Sequence, residues 1–175
     1  MTGLTIRPAA PGDTAAITAI YRPAVLTGTA SFELDPPDEA EMLRRFRALV
    51  DGGFPYLAAC RGADLVGYAY AGPYRPRPAY RFSAEDSIYI APQAQGEGVG
   101  RALLEALIAE CTARNFRQLI GIIGDSGHAA SIGLHKSLGF VDVGIVRSVG
   151  FKHGRWLDQV IMQLPLGPGD AVPPV

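Results

Sequence analysis

The stretch that most restricts how this chain can fold is IYIAPQAQGEGVGRALLEALI, residues 88 to 108. An apolar run, Ile88, Tyr89 and Ile90, leads into a turn with Gly96, Gly98 and Gly100 at every second position. Leu103, Leu104, Leu107, Ile108 and Cys111 follow at helical spacing. A strand therefore feeds a helix through a turn whose backbone few side chains can cover. Bare N–H groups can converge there on an anion, and a helix starting near Val99 points the positive end of its dipole at the same place. The spacing suits a pyrophosphate cradle; glycines that merely give clearance to a tight strand-to-helix connection are the other use of the same residues. A dinucleotide fingerprint would need a third glycine where Arg101 stands, and a Walker loop would need GK[ST]. What remains has the form Q-x-x-G-x-G: Gln95, Gly98 and Gly100, with Gly96 and Glu97 between.

The rest of the chain is read around that turn. LTIRPA is an opening strand, and Asp13 is expected to cap a helix carrying Ala16, Ile17, Ile20 and Tyr21 until Pro23 interrupts it. Asp38 and Glu41 form a capping pair for a helix through Met42, Leu43, Phe46, Leu49 and Val50, ended by Gly52 and Gly53. YLAACRGADLVGYAYAG reads as a hairpin, and PYRPRPAYRFSAED as a loop bordering a site. RQLIGIIGD is a buried strand, followed by a short helix with Ile132, Leu134, His135 and Leu138, and then by two strands joined through GFKHG. Residues 1–164 are expected to form a single domain and residues 165–175, rich in Pro and Gly, a flexible tail.

Composition removes several classes of function. Sixteen basic and 17 acidic residues give a net charge of −1, so no general attraction to nucleic acid or an anionic membrane is expected. Cys60 and Cys111 are isolated thiols with neither CxxC spacing nor a Cys/His cluster. No metal and a reducing, cytoplasmic setting are expected. The start MTGLTIRPAAPGD lacks the cationic and apolar runs of a signal peptide and no stretch nears membrane-spanning length, so neither is expected.

The glycine turn, the amphipathic helix after it and the later LHKSLGF resemble the GNAT acetyltransferase superfamily over almost all of residues 4 to 164. AEDSIYIAPQAQGEGVG, SIGLHKSLGF and VGFKHGRWLDQ resemble its phosphinothricin N-acetyltransferase branch, whose relatives also acetylate methionine sulfoximine and methionine sulfone. The resemblance implies an α/β (mixed α+β) GNAT fold, with a mostly antiparallel central sheet flanked by helices. It also implies acetyl-CoA as co-substrate, a small amino-acid-like acceptor and a homodimer.

Acetyl transfer to an α-amine requires a base, because an amine with a pKa near 8 is mostly protonated at neutral pH. The resemblance implies Glu85 as that base, just before the strand that carries the acetyl group. It implies backbone groups of Ile88, Tyr89 and Ile90 along the acetyl and pantetheine arm, and Gln95, Gly96, Glu97, Gly98, Val99, Gly100 and Arg101 around the pyrophosphate. His135 stands where the superfamily usually has a tyrosine that protonates the leaving thiolate; imidazole exchanges a proton near neutral pH, so it can serve that step or assist the base, a packed helical histidine being the other use. His128 replaces a common asparagine beside the coenzyme arm, with Ser131 a further contact. Arg75 and Arg77 can hold an acceptor's anionic group by forked hydrogen bonds, and the branch places them with Glu85, Asp86 and Ser87 over the acceptor. Phe32 and Tyr80 are expected to pack in the core or to add aromatic walls, while Phe151, Lys152 and Trp156 are expected at a subunit interface or the pocket. Other readings are a different amine acceptor, such as a polyamine, an aminoglycoside or a protein N-terminus, and a catalytically silent acyl-CoA-binding module.

Overall fold

The computed structural model describes residues 3–174. Seven strands form one sheet: β1 (Leu4–Pro8), β2 (Tyr56–Arg61), β3 (Asp64–Pro73), β4 (Ser83–Ile90), β5 (Gln118–Gly124), β6 (Val141–Lys152) and β7 (Arg155–Pro165). Their spatial order is β1-β2-β3-β4-β5-β7-β6. Every neighbouring pair is antiparallel except β4 and β5, which run parallel because a helix connects them.

Alternation along the strands divides the core. Leu57, Ala59, Ala69, Ala71 and Ala84 face Leu103, Leu104 and Leu107 of α3 (Val99–Ala113). Tyr56 and Tyr68 face the opposite way, onto Ile17, Ile20 and Tyr21 of α1 (Thr14–Leu26) and onto Met42 and Phe46 of α2 (Glu39–Asp51). A fourth helix, α4 (Ala129–Ser137), follows β5. Its Leu134 packs on the α3 side of the sheet.

Local chemistry explains most boundaries and corrects some expectations. Asp38 caps α2 by accepting from the Glu41 N–H at 2.8 Å, while the Glu41 carboxylate turns to Arg44 and Arg45 instead of back to the cap. Asp13 does not cap α1 with its side chain: its two oxygens are taken by the Arg7 guanidinium at 2.7 and 2.8 Å. Pro23 does not end α1 either, and the helix runs on to Leu26. The Pro23 carbonyl accepts from the N–H groups of Thr27 and Gly28, and Val25 is fully buried, so packing holds the last turn that Pro23 weakens. The tail expected from residue 165 is anchored at its start. Leu166 is buried in the core, its N–H donates to the Arg117 carbonyl at 2.9 Å, and a turn returns to it from Gly169. Residues 170–174 are exposed.

The loop after β3 is shorter than expected, because Ser83, Ala84, Glu85 and Asp86 belong to β4. Strand β4 pairs with β3 along its length, from Ala84 opposite Pro73 to Ile90 opposite Gly67. Its pairing with β5 stops after Asp86 opposite Gly121, while β5 continues along β7 to Gly124. From that point β4 and β5 diverge, and the sheet splits.

Candidate active site

The split is a groove of about 930 Å³. Ser87, Ile88, Tyr89 and Ile90 form one wall, Ile122, Ile123 and Gly124 the other, and the glycine turn closes one end. Beyond Asp86 the edge of β4 that would face β5 has no ladder partner, so its backbone polar groups are available to something lying in the groove.

At the turn, Gly96 and Gly98 adopt φ of +76° and +82°, which L side chains rarely adopt. Gly98 is also the N-cap of α3 and supplies no side-chain hydrogen bond, so the first N–H groups of the helix open on the groove uncapped. Gly100 has a different reason: a β-carbon there would stand 3.3 Å from the Leu134 side chain, so the glycine lets α4 approach α3. Gln95 and Arg101 line the groove, and the Gln95 side chain reaches the Ile90 carbonyl at 3.4 Å. The side chains of two residues of the turn are engaged elsewhere. Glu97 pairs with Arg61, and Val99 is buried in the core, which leaves only their backbone toward an anion.

Glu85 faces α1 and α2, as do Ser87 and Tyr89 along the same strand. It lines the groove and also a second cavity of about 360 Å³ walled by Tyr21, Tyr56, Tyr68, Tyr70 and Met42. Burial and the negative charge of Asp86, against a weaker opposing pull from Arg75, bring its pKa up to about 7. At neutral pH this carboxyl therefore takes up and releases protons readily. The tyrosine wall escaped the sequence reading, although alternation in GYAYAG puts Tyr68 and Tyr70 on one face. Arg45 stands beside this wall, held by Glu33 at 2.6 Å and Glu41 at 2.8 Å.

Asp86 points the other way, which corrects its expected place over the acceptor: strand alternation turns it to the α4 side, buried against His135. The Nε2 of His135 lies 3.0 Å from Asp86 Oδ2, and its Nδ1 lies 2.8 Å from the Ser131 carbonyl. Burial works to lower the imidazole pKa, but the hydrogen bond and charge of Asp86 outweigh it and hold the pKa above its usual value. Both ring nitrogens are thus engaged, although His135 still lies on the groove. His128 is the N-cap of α4, its Nδ1 accepting from the Ser131 N–H at 3.2 Å; both residues line the groove.

Arg75 and Arg77 are exposed in the β3–β4 loop and line neither cavity; the Arg75 guanidinium lies 5.2 Å from the Tyr74 ring centroid. Phe32 lies on the groove and Tyr80 packs edge-on against Tyr74. Lys152 is buried and donates to the Ser31 carbonyl at 2.6 Å, whereas Phe151 and Trp156 are 58% and 62% exposed. Among the described residues, no group of three or more His, Cys, Asp or Glu could hold a metal ion. No helix among them is long and apolar enough to cross a membrane.

A split sheet, an uncapped helix start behind bare glycines and a carboxyl of near-neutral pKa together make a groove suited to a long, anionic ligand with a proton-accepting group beside it. The sequence matches the acetyltransferase (GNAT) family over residues 16–140. It is 57% identical over 170 residues to a phosphinothricin N-acetyltransferase of Alcaligenes faecalis, covering 97% of this chain and 86% of the relative. It is 40% identical over 170 residues to an L-methionine sulfoximine/L-methionine sulfone acetyltransferase of Pseudomonas aeruginosa, covering 97% and 98%. The fold matches the crystal structure of a phosphinothricin acetyltransferase from Sinorhizobium meliloti in complex with acetyl-CoA, with a TM-score of 0.96, 48% identity and coverage of 99% of this chain and 94% of that one. This chain belongs to the GNAT acetyltransferase family, and it is an N-acetyltransferase.

Proposed function

We propose that the enzyme moves the acetyl group of acetyl-CoA to the α-amine of a small amino acid analogue of the phosphinothricin, methionine sulfoximine or methionine sulfone type. The observation that carries this reading is the place of Glu85, a carboxyl of near-neutral pKa where the split between β4 and β5 meets the tyrosine-walled cavity. The names of the relatives support the choice of acceptor.

The groove suits the co-substrate. Main-chain amides at Gly96, Gly98 and the first turn of α3 would hold its pyrophosphate, and Gln95, Arg101, His128 and Ser131 would flank the arm. The thioester supplies the activated acetyl group. Glu85 takes the proton that the acceptor's ammonium must lose before its nitrogen can attack. Backbone N–H groups of Tyr89 or Ile90, on the strand edge freed from β5, meet the negative charge that develops on the acetyl oxygen. The departing thiolate, of ordinary thiol pKa near 8.5, takes a proton from solvent at pH 7 without a dedicated acid. Arg75 and Arg77 of the adjoining loop would draw in the acceptor's anionic group.

We further infer a homodimer formed through β6 and a cytoplasmic site of action. The edge strand β6 exposes Val141, Val143, Ile145, Val149 and Phe151, with Trp156 beside them, an apolar strip that a second copy would cover. Cys60 and Cys111 are both free and buried, as suits a reducing compartment.

The reading is tested by release of free thiol from acetyl-CoA with phosphinothricin, methionine sulfoximine, methionine sulfone and ordinary amino acids as acceptors. Acceptor-dependent release with one of the three analogues is expected. Calorimetric acetyl-CoA binding with no release on the whole panel would leave a silent binding module instead.

A further inference from the structure

Glu85 and Asp86 are chain neighbours with opposite surroundings. Asp86 and His135 have side chains only 3% and 4% exposed and meet at 3.0 Å. The Ser131 carbonyl can only accept, so His135 Nδ1 carries a hydrogen, and one further proton sits on the Nε2–Oδ2 contact. While it stays there the pair is neutral overall. The second Asp86 oxygen, Oδ1, is buried without a hydrogen-bond partner, an orphaned acceptor that stability alone does not favour. The facing strand makes room for the arrangement at Gly121. A β-carbon there would stand 2.9 Å from His135 Cδ2, 3.1 Å from Nε2 and 3.3 Å from Asp86 Oδ1.

A buried pair of this kind is weak support for a fold, because desolvation offsets most of its attraction. Its position is informative. Asp86 is one residue from Glu85, at the last rung before β4 and β5 part, and its charge acts on Glu85 through the sheet. The other groups facing Glu85 are Arg75 from the loop, Tyr70 from β3, Tyr21 from α1 and Arg44 and Arg45 from α2. Those facing the pair are Cys111 of α3 and the Ser131 carbonyl of α4.

We infer that Asp86 and His135 are positioning residues that set, through β4, the pH range in which Glu85 accepts the acceptor's proton. The Asp86 carboxylate makes Glu85 a better base, and the His135 proton limits how far. Asp86→Asn removes the negative charge, so Glu85 should lose its proton at lower pH. His135→Gln keeps a donor for Asp86 but removes the balancing charge, so Glu85 should lose its proton at higher pH.

The inference rests on the acetyltransferase reading only for its kinetic arm. Glu85 titration, followed by carbon-13 NMR of its carboxyl in the free enzyme, needs no acceptor and still reads the effect if the acceptor is misassigned. The acid limb of kcat/KM and the NMR midpoint should both move down by about 0.5–1 pH unit in Asp86→Asn and up by a similar amount in His135→Gln. Folded variants whose limb and midpoint stay at the wild-type value, or shift in the same direction, would overturn the inference. If Asp86→Asn does not fold by circular dichroism, His135→Gln decides alone, since only an upward shift supports it.

Discussion

One edge of the Phe32 ring fills the space a β-carbon on Gly150 would need, and its other edge stands 2.9 Å from where a β-carbon on Gly124 would lie. One aromatic ring thus pins the segment between α1 and α2 onto β5 and β6, where Lys152 and His153 also hold that segment through the carbonyls of Ser31 and Gly28. Because Phe32 lines the groove, Gly150→Ala should displace this wall. Overpacking of this kind costs about 1–3 kcal/mol. A lower Tm and a roughly tenfold or greater fall in kcat/KM are expected, the latter because small misplacements at a site are costly; calorimetry and steady-state kinetics would measure both.

Glu85→Gln removes the proton acceptor but keeps its shape. Activity should fall by about 10²- to 10⁴-fold, while calorimetric binding of acetyl-CoA is kept. On the proposed mechanism the unprotonated carboxyl is the working form, and burial raises its pKa to about 7. The rate should therefore drop as pH falls below 7 and level off above it, and the glutamine variant should lose this limb.

Gly98 supplies an uncapped helix start at φ +82°. Alanine there forces a strained backbone costing roughly 1–3 kcal/mol or closes the cradle. Gly98→Ala should weaken acetyl-CoA binding by about tenfold or more in calorimetry. Gly96→Ala, at a similar φ with open space around the new methyl, should weaken it as much if strain alone matters and less if the Gly98 methyl also obstructs the cradle.

On β6, Ile145→Glu together with Phe151→Glu places charge in the exposed apolar strip. Light scattering should show the wild type at twice the mass of the chain and the double variant at the mass of one chain. A wild type that runs as a monomer would remove the dimer.

Sequence alone determined the elements whose information is local. The glycine turn, the aliphatic face of α3, the cap of α2 by Asp38 and the alternation in the hairpin all follow from spacing, because a helix or strand repeats within a few residues. The same local logic failed at Asp13 and Pro23, where Arg7 from another element and the burial of Val25 decided the outcome. Only the tertiary structure could separate Glu85 from Asp86, since adjacency in a chain does not say which face of a strand is the site. Once α1 and α2 cover one face and α3 and α4 the other, neighbouring carboxylates receive different dielectric surroundings and partners. One becomes a carboxyl whose pKa of about 7 suits a base, and the other a buried companion of His135.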